Sequence, residues 1–246
     1  MRVPNGMLIF DHEPENWNDL QAMVGQLFRE TGCEVTIGKQ VELVRGKKEI
    51  DVWVRDEHTA PPSEYLCECK FWNRAIPQEN VHSFRTVVAD YGAHRGFIVS
   101  KAGFQKGAYD AVANTNVNLV TFRELQAIFF DRWRVAMGER FIPYADRLFP
   151  YWDYPGKMPK VQWRKKESER QDELVAAYRP LLRLGPLARM EEFVQKFPIT
   201  VPSLNQAGQI DGQIVIGSYR QFYDFIDASK DVALRHFQVL YGEIDA

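Results

Sequence analysis

The residues of this chain whose types and spacing could do chemistry lie in two short runs, Ile50-Asp51-Val52-Trp53-Val54 and Leu66-Cys67-Glu68-Cys69-Lys70. Both read as β-strands. Alternate residues of a strand share a face, so Glu68 and Lys70 point together while Cys67 and Cys69 point the other way, into a core. In the earlier run, Val52 and Val54 face the core and Asp51 and Trp53 the opposite side. A charged side chain on an otherwise apolar strand is costly to bury unless it is paired or bound to a metal. Two neighbouring carboxylates repel, and a divalent cation resolves that repulsion. Few, hard oxygen ligands favour Mg2+ with retained waters, with Mn2+ as its substitute. The ion would polarise a phosphoryl oxygen and lower the pKa of water. Lys70 would orient or help deprotonate that water, or stabilise the charge building on the phosphorus oxygens. Such a trio suits attack of water on a phosphodiester.

The triplet alone is weak. With 33 acidic residues in 246, acid-x-Lys is expected by chance about once or twice. A plain ion pair is the ordinary explanation of such neighbours, so the surrounding elements must carry the case. Cys67 and Cys69 are core residues rather than zinc ligands, because only Cys33 remains as a third thiol. The five histidines show no metal-ligand spacing, and Lys106-Gly107 belongs to no nucleotide-binding loop.

The bulk numbers exclude little beyond the obvious. At 45% hydrophobic and 26% charged residues, the chain is of ordinary globular composition and long enough for one full domain and a smaller appendage. Three cysteines argue against a disulfide framework and for a reducing, cytoplasmic location. No signal peptide is visible and no apolar run would span a membrane. A net charge of -2 neither supports nor excludes nucleic acid, since a local basic face can sit on a neutral protein.

Positioning elements surround the trio. Residues 1–15, with Pro4, Gly6 and Pro14, read as a loosely held arm. Asn16 caps a helix in which Trp17, Leu20, Val24, Leu27 and Phe28 recur at helical spacing, stopped by Gly32. Strand-like runs follow at 33–37, 41–44 and 49–54, with turns expected at Gly38-Lys39 and Gly46-Lys47-Lys48. After the strand from Tyr65 to Lys70 the rhythm changes. A helix runs from Pro77 to Gly92, a strand over Gly96–Ser100, an alanine-rich helix over Phe104–Asn114 and a strand over Val117–Val120, after which Thr121 caps a further helix. Alternation of this kind implies parallel strands with crossover helices. A meander followed by α/β units gives a mixed sheet between helices.

These elements resemble the PD-(D/E)xK nuclease superfamily, and within it the Mrr-like restriction endonucleases, over roughly residues 16–126. The likeness is carried by the helix Trp17 to Arg29 with its following Thr31-Gly32-Cys33-Glu34-Val35, by Ile50-Asp51-Val52, and by Cys67-Glu68-Cys69-Lys70-Phe71-Trp72, continued through the helix 77–92, the strand 96–100 and the helix from Phe104. The resemblance implies a restriction-endonuclease-like α/β fold and a Mg2+-dependent DNA phosphodiesterase. In it Asp51 and Glu68 are metal ligands, the main-chain carbonyl of Cys69 is a further ligand, and Lys70 is the catalytic lysine. Many relatives carry a glutamate on the first helix. The matching position here is Gln21, a neutral amide that supplies no third negative charge, so one metal site is expected rather than two.

The domain implied is 1–137, followed by a connector at 138–160 rich in proline, tyrosine and tryptophan, and an accessory region at 161–246. In that region helices are expected at about 163–178 and 186–196, a β-prone patch at Gln209 to Ile216, and a helical tail from Tyr219. Trp72 and Arg74, directly after Lys70, and Lys101 and Lys106, near a strand end and a helix start, are the candidate DNA contacts; each is also explicable as a surface side chain. Lys47 and Lys48 stand in a turn that could reach DNA. The function expected is a restriction or phage-defence endonuclease. A structure-selective repair nuclease or junction resolvase uses the same site on the same fold. A non-catalytic nucleic-acid or partner-binding module is the other alternative, disfavoured by the intact Asp51, Glu68 and Lys70. The expected partners are DNA, a second copy of the chain where both strands of a duplex are cut, and a protein docked on 161–246.

Overall fold

Asn16 starts the first helix as its sequence demands: its side-chain oxygen accepts the Asp19 N–H at 2.9 Å. The computed structural model describes residues 8–44, 46–152, 165–184 and 195–245. The chain forms two compact units, Met1–Ala136 and Met137–Ala246.

In the first unit, α1 (Trp17–Glu30) leads into β1 (Glu34–Leu43), β2 (Gly46–Asp56) and β3 (Ser63–Lys70). Then come α2 (Gln78–Tyr91), β4 (Arg95–Ser100), α3 (Lys106–Val112), β5 (Val117–Thr121) and α4 (Phe122–Trp152). The strands make one five-stranded sheet in the order β1-β2-β3-β4-β5. The first three run antiparallel, and β3, β4 and β5 run parallel. Gly92 closes α2 in the left-handed conformation, φ 76°, as its position after the last apolar residue predicts. Thr121 and Glu124 form a reciprocal capping box at the start of α4.

Both faces of this sheet are covered, which the alternation along β3 and β4 makes explicit. Leu66 and Ile98 pack with Trp53 against Val81, Phe84 and Val88 of α2 and Ala108 of α3. Tyr65 and Phe97 face the other way, in an aromatic cluster with Phe28 of α1 and Phe129 of α4. Trp53 is therefore not on a solvent side. It is 3% exposed, and its indole donates to the Tyr91 hydroxyl at 3.0 Å.

Three expectations for this unit need correction. Residues 9 and 10 are not a loose arm: Ile9 and Phe10 are buried, their N–H groups both donate to Gln126 Oε1 at 3.0 and 2.9 Å, and Phe10 stacks on Phe122. Two apolar side chains in a proline-bounded segment drive that docking. Gly38-Lys39 is no turn, because β1 passes through Gly38 at φ 66° without a register shift; the glycine admits a left-handed residue inside a strand. The chain reverses one step before the predicted Gly46-Lys47-Lys48, since Gly46 already pairs with Leu43. Gln126→Ala removes the side-chain acceptor of two buried N–H groups, and we expect a loss of about 2–4 kcal/mol by urea unfolding together with faster hydrogen exchange at Ile9 and Phe10. Unchanged exchange at those two amides would dismiss the anchoring role.

The second unit contains the end of α4, then α5 (Lys165–Ala177), α6 (Arg179–Leu182), a hairpin of β6 (Ile199–Leu204) and β7 (Ile210–Ile216), and α7 (Tyr219–Leu240). The region is α+β. Its core joins Phe141, Tyr151, Leu174, Tyr178, Tyr223 and Phe237. The stretch from 138 to 152 is helical, where proline spacing predicts a connector. Met137, Phe141, Ala145, Leu148 and Tyr151 are all buried. That stripe at intervals of three and four residues holds the helix across Pro143 and Pro150, so packing overrides the local penalty. The remainder of the connector, 153–160, and most of the helix expected at 186–196 lie outside the described residues. Among the described residues no helix is long and apolar enough to cross a membrane.

Candidate active site

Pairing between β2 and β3 runs from Asp56↔Ser63 to Val52↔Cys67 and ends there. Beyond it the two strands part, and the register would set Asp51 opposite Glu68. Side chains take over the work of the ladder at this point. Asp51 Oδ2 accepts the Cys69 N–H at 2.7 Å, and the Cys69 carbonyl accepts the indole Nε1–H of Trp17 at 3.1 Å. Lys70 Nζ donates to Glu68 Oε1 at 2.5 Å. The structure thus brings Asp51, Glu68, Lys70 and the main chain of Cys69 together, at the end of the sheet where the parallel strands β3 and β4 finish. That is the end at which open α/β sheets bind their ligands.

Electrostatics make the pair of carboxylates uneasy. Burial, then the neighbouring charge of Glu68, pushes the Asp51 carboxyl up from its ordinary value; the Cys69 N–H, Lys70 and Lys48 pull it back only in part. One ammonium serves two acids. Asp51 Oδ1 and Glu68 Oε2 have no hydrogen-bond partner among the described residues, and the Cys69 carbonyl retains a second lone pair. Three hard oxygen donors with uncompensated negative charge fit a divalent cation. Among the described residues no group of three or more His, Cys, Asp or Glu side chains could hold a metal, so any ion here rests on two carboxylates and a main-chain oxygen. Cys67 and Cys69 are completely buried, and burial pushes both thiols up. They are free thiols in the core, as is Cys33.

Gln21 lies one turn beyond Trp17 on α1 and is 7% exposed. Its amide has no hydrogen bond to the trio or to any other described residue. The structure places it on the sheet-facing side of α1 and does not join it directly to Asp51 or Glu68.

Past Lys70, the chain builds a wall of aromatic and basic side chains. Lys70 Nζ at 5.6 Å and the Arg74 guanidinium at 5.4 Å both lie near the centre of the Trp72 ring. Lys101 sits 4.2 Å from the Phe71 ring centre and donates to Asn73 Oδ1 at 2.9 Å. Main-chain bonds from Lys101 to Lys70, from Ile76 to Gly103 and from Gln105 to Ile76 tie the two segments together. Lys106, exposed at the start of α3, follows directly. Arg74 and Lys106 have no carboxylate partner among the described residues. Lys47, by contrast, is paired with Glu42 at 2.7 Å.

Sequence reasoning missed Trp17, which it read as a member of the apolar stripe. Its exposure of 46% and its indole donor set it apart, and an aromatic at the very first turn of a helix is the only signal that could have singled it out.

A mixed sheet between helices, with two carboxylates and a lysine where two strands part, is a restriction-endonuclease-like fold. The sequence model of the Mrr catalytic family, described as restriction endonuclease, matches residues 13–129. The match makes residues 13–129 similar to a nuclease domain of restriction-endonuclease type. Among solved structures, a protein of unknown function designated AF1548 is 18% identical, with a TM-score of 0.40 over 72% of this chain and 92% of its own. The DNA modification-dependent restriction endonuclease AspBHI is 18% identical, with a TM-score of 0.33 over 44% of this chain. The MspJI restriction endonuclease, solved in complex with a 27-mer oligonucleotide, is 17% identical, with a TM-score of 0.32 over 50% of this chain. The chain spans 30% and 29% of those two endonucleases. No curated protein matches it.

Proposed function

We propose that the chain is a Mg2+-dependent DNA endonuclease acting in restriction or phage defence. The observation that carries this reading is the donor set of Asp51, Glu68 and the Cys69 carbonyl beside Lys70, where β2 and β3 part. Those three groups would hold Mg2+ (or Mn2+), which would supply a Lewis acid at a phosphoryl oxygen and acidify water. Lys70 rests on Glu68 in the free protein. Its ammonium would face the phosphate oxygens of a bound substrate and stabilise the charge that grows on them during attack. Asp51 holds the Cys69 amide and, in its ionised form, would serve as a ligand. Trp72, Arg74, Lys101 and Lys106 present cations and an aromatic face to a polyanionic backbone. Gln21 supplies a neutral amide near the site, and no second metal is part of this reading.

The test is cleavage of linear, circular, methylated and branched DNA in Mg2+, with Asp51→Ala and Lys70→Ala beside the wild type. Cleavage by the wild type alone is the expected result, and removal of Mg2+ with EDTA should abolish it. Equal activity in all three proteins would dismiss the proposed residues. Strong preference for branched DNA would move the role from restriction to repair, and absence of cleavage on every substrate would favour a binding module.

A further inference from the structure

Trp17 is held apart from the rest of α1 by what its indole does. Pairing with β2 has ended two residues before Cys69, so β4 pairs along one edge of this stretch as far as Lys70 while no strand holds the edge that faces β2. Two side chains hold that open edge instead. Asp51 Oδ2 takes the Cys69 N–H at 2.7 Å, and Trp17 Nε1 donates to the Cys69 carbonyl at 3.1 Å from 52 residues away. The peptide that Trp17 grips joins Cys69 to Lys70. It carries both the main-chain oxygen of the proposed metal site and the backbone of the lysine. A large aromatic on the first turn of a helix would ordinarily turn its ring into the core, yet Trp17 remains 46% exposed with its N–H satisfied. Packing alone does not account for that placement; a directional hydrogen bond does.

We propose that Trp17 is a positioning residue of the metal site: its indole N–H aims the Cys69 carbonyl, so that this oxygen and the Asp51 carboxylate converge on one divalent cation. The proposal rests on the metal-site reading given above. A carbonyl has two lone pairs. The indole occupies one, leaving the other directed, and the cation need not order a strand end that is already ordered. Groups that orient a metal ligand from behind change metal affinity when removed, by about tenfold or more.

Trp17→Phe keeps an aromatic ring and removes the donor. Isothermal titration with Mg2+ alone should show about tenfold weaker binding than the wild type. DNA cleavage should show the same displacement along the Mg2+ axis, with kcat restored at saturating Mg2+ and KM for DNA unchanged. A purely structural role would lower the folded fraction and hence kcat, without moving the Mg2+ dependence. Unchanged Mg2+ affinity in Trp17→Phe would overturn the proposal, and tighter binding would do so too, since the indole would then compete with the ion. Asp51→Ala separates the two readings. If it binds Mg2+ as well as the wild type, the metal site itself fails; if it loses Mg2+ while Trp17→Phe keeps it, only the role of Trp17 falls. Should Trp17→Phe not fold, the wild-type indole N–H resonance of Trp17 serves instead. It should shift on Mg2+ addition more than those of the other tryptophans, and its constancy would overturn the proposal.

Discussion

Asp51→Asn is expected to unfold at a higher temperature than the wild type at neutral pH and to have lost cleavage. The amide is nearly isosteric, and its oxygen can still accept the Cys69 N–H that Asp51 accepts at 2.7 Å. What it removes is a charge that burial and Glu68 both disfavour. A substitution that relieves such strain in an active site commonly stabilises the fold while destroying activity, here by about 2–4 °C in Tm. Cleavage should fall by roughly 10²–10³-fold or more, the loss that follows when a group stabilising transition-state charge is taken away. The pH dependence gives the sharper check. The folded-state pKa of Asp51 lies above its unfolded value, so between the two the folded protein holds a proton that the unfolded chain has released. Its ionisation therefore lowers stability as pH rises through that interval. The advantage of Asp51→Asn is then full above the folded-state pKa and vanishes in acid, where the wild-type carboxyl is protonated in both states. A variant that is less stable than the wild type at pH 7, or an advantage that persists unchanged below pH 4, would refute the strained-carboxylate account.

The trio itself was legible because its signals are local. Strand alternation places Glu68 and Lys70 on one face, Pro77 and Gly92 bracket α2, and Thr121 with Glu124 marks the start of α4. Each of these depends on residues within a few positions of one another. What stayed hidden depends on distance along the chain. Gln126 binds Ile9 and Phe10 from more than a hundred residues away, and nothing in a glutamine on a helix announces two main-chain partners. Trp17 and Cys69 meet only because β2 and β3 part, an event set by register rather than by residue type. At 138–152 the proline signal was read correctly as a local preference and was overridden by a buried stripe on α4. β6 passed unnoticed because Pro202 and Ser203 interrupt its alternation, and its hairpin partner β7 supplies the pairing.

Arg132→Met should cost the nuclease unit about 3–5 kcal/mol, the usual penalty for leaving a buried charge without its partner. Asp56 is fully buried at the end of β2, and the Arg132 guanidinium meets it in a fork, Nη1 to Oδ2 at 2.5 Å and Nη2 to Oδ1 at 2.8 Å. The same carboxylate accepts the Tyr65 hydroxyl at 3.1 Å and the His58 N–H at 3.1 Å, so one aspartate ties β2, β3, the following loop and α4 together. Arg132, assisted by those two donors, holds the Asp56 carboxyl down at about 2 against the opposing effect of burial. Because the folded pKa lies below the unfolded one, the stabilisation is complete above the ordinary carboxylate range and is lost as pH falls from there through about 2. Urea unfolding from pH 7 down to about pH 2 should show the wild type losing its lead over Arg132→Met as acid protonates Asp56, since the variant carries no ion pair to lose. Asp56→Asn with Arg132→Met should recover part of the lost stability, because no charge is then buried alone. The site is five residues along β2 from Asp51, so at a temperature where Arg132→Met is folded its cleavage rate and Mg2+ dependence should match the wild type. Parallel pH profiles for the two proteins would show that the fork contributes no stability. A changed Mg2+ dependence would show instead that the far end of β2 governs the geometry at Asp51, because the strand that carries the acid is only as fixed as the ion pair that anchors it.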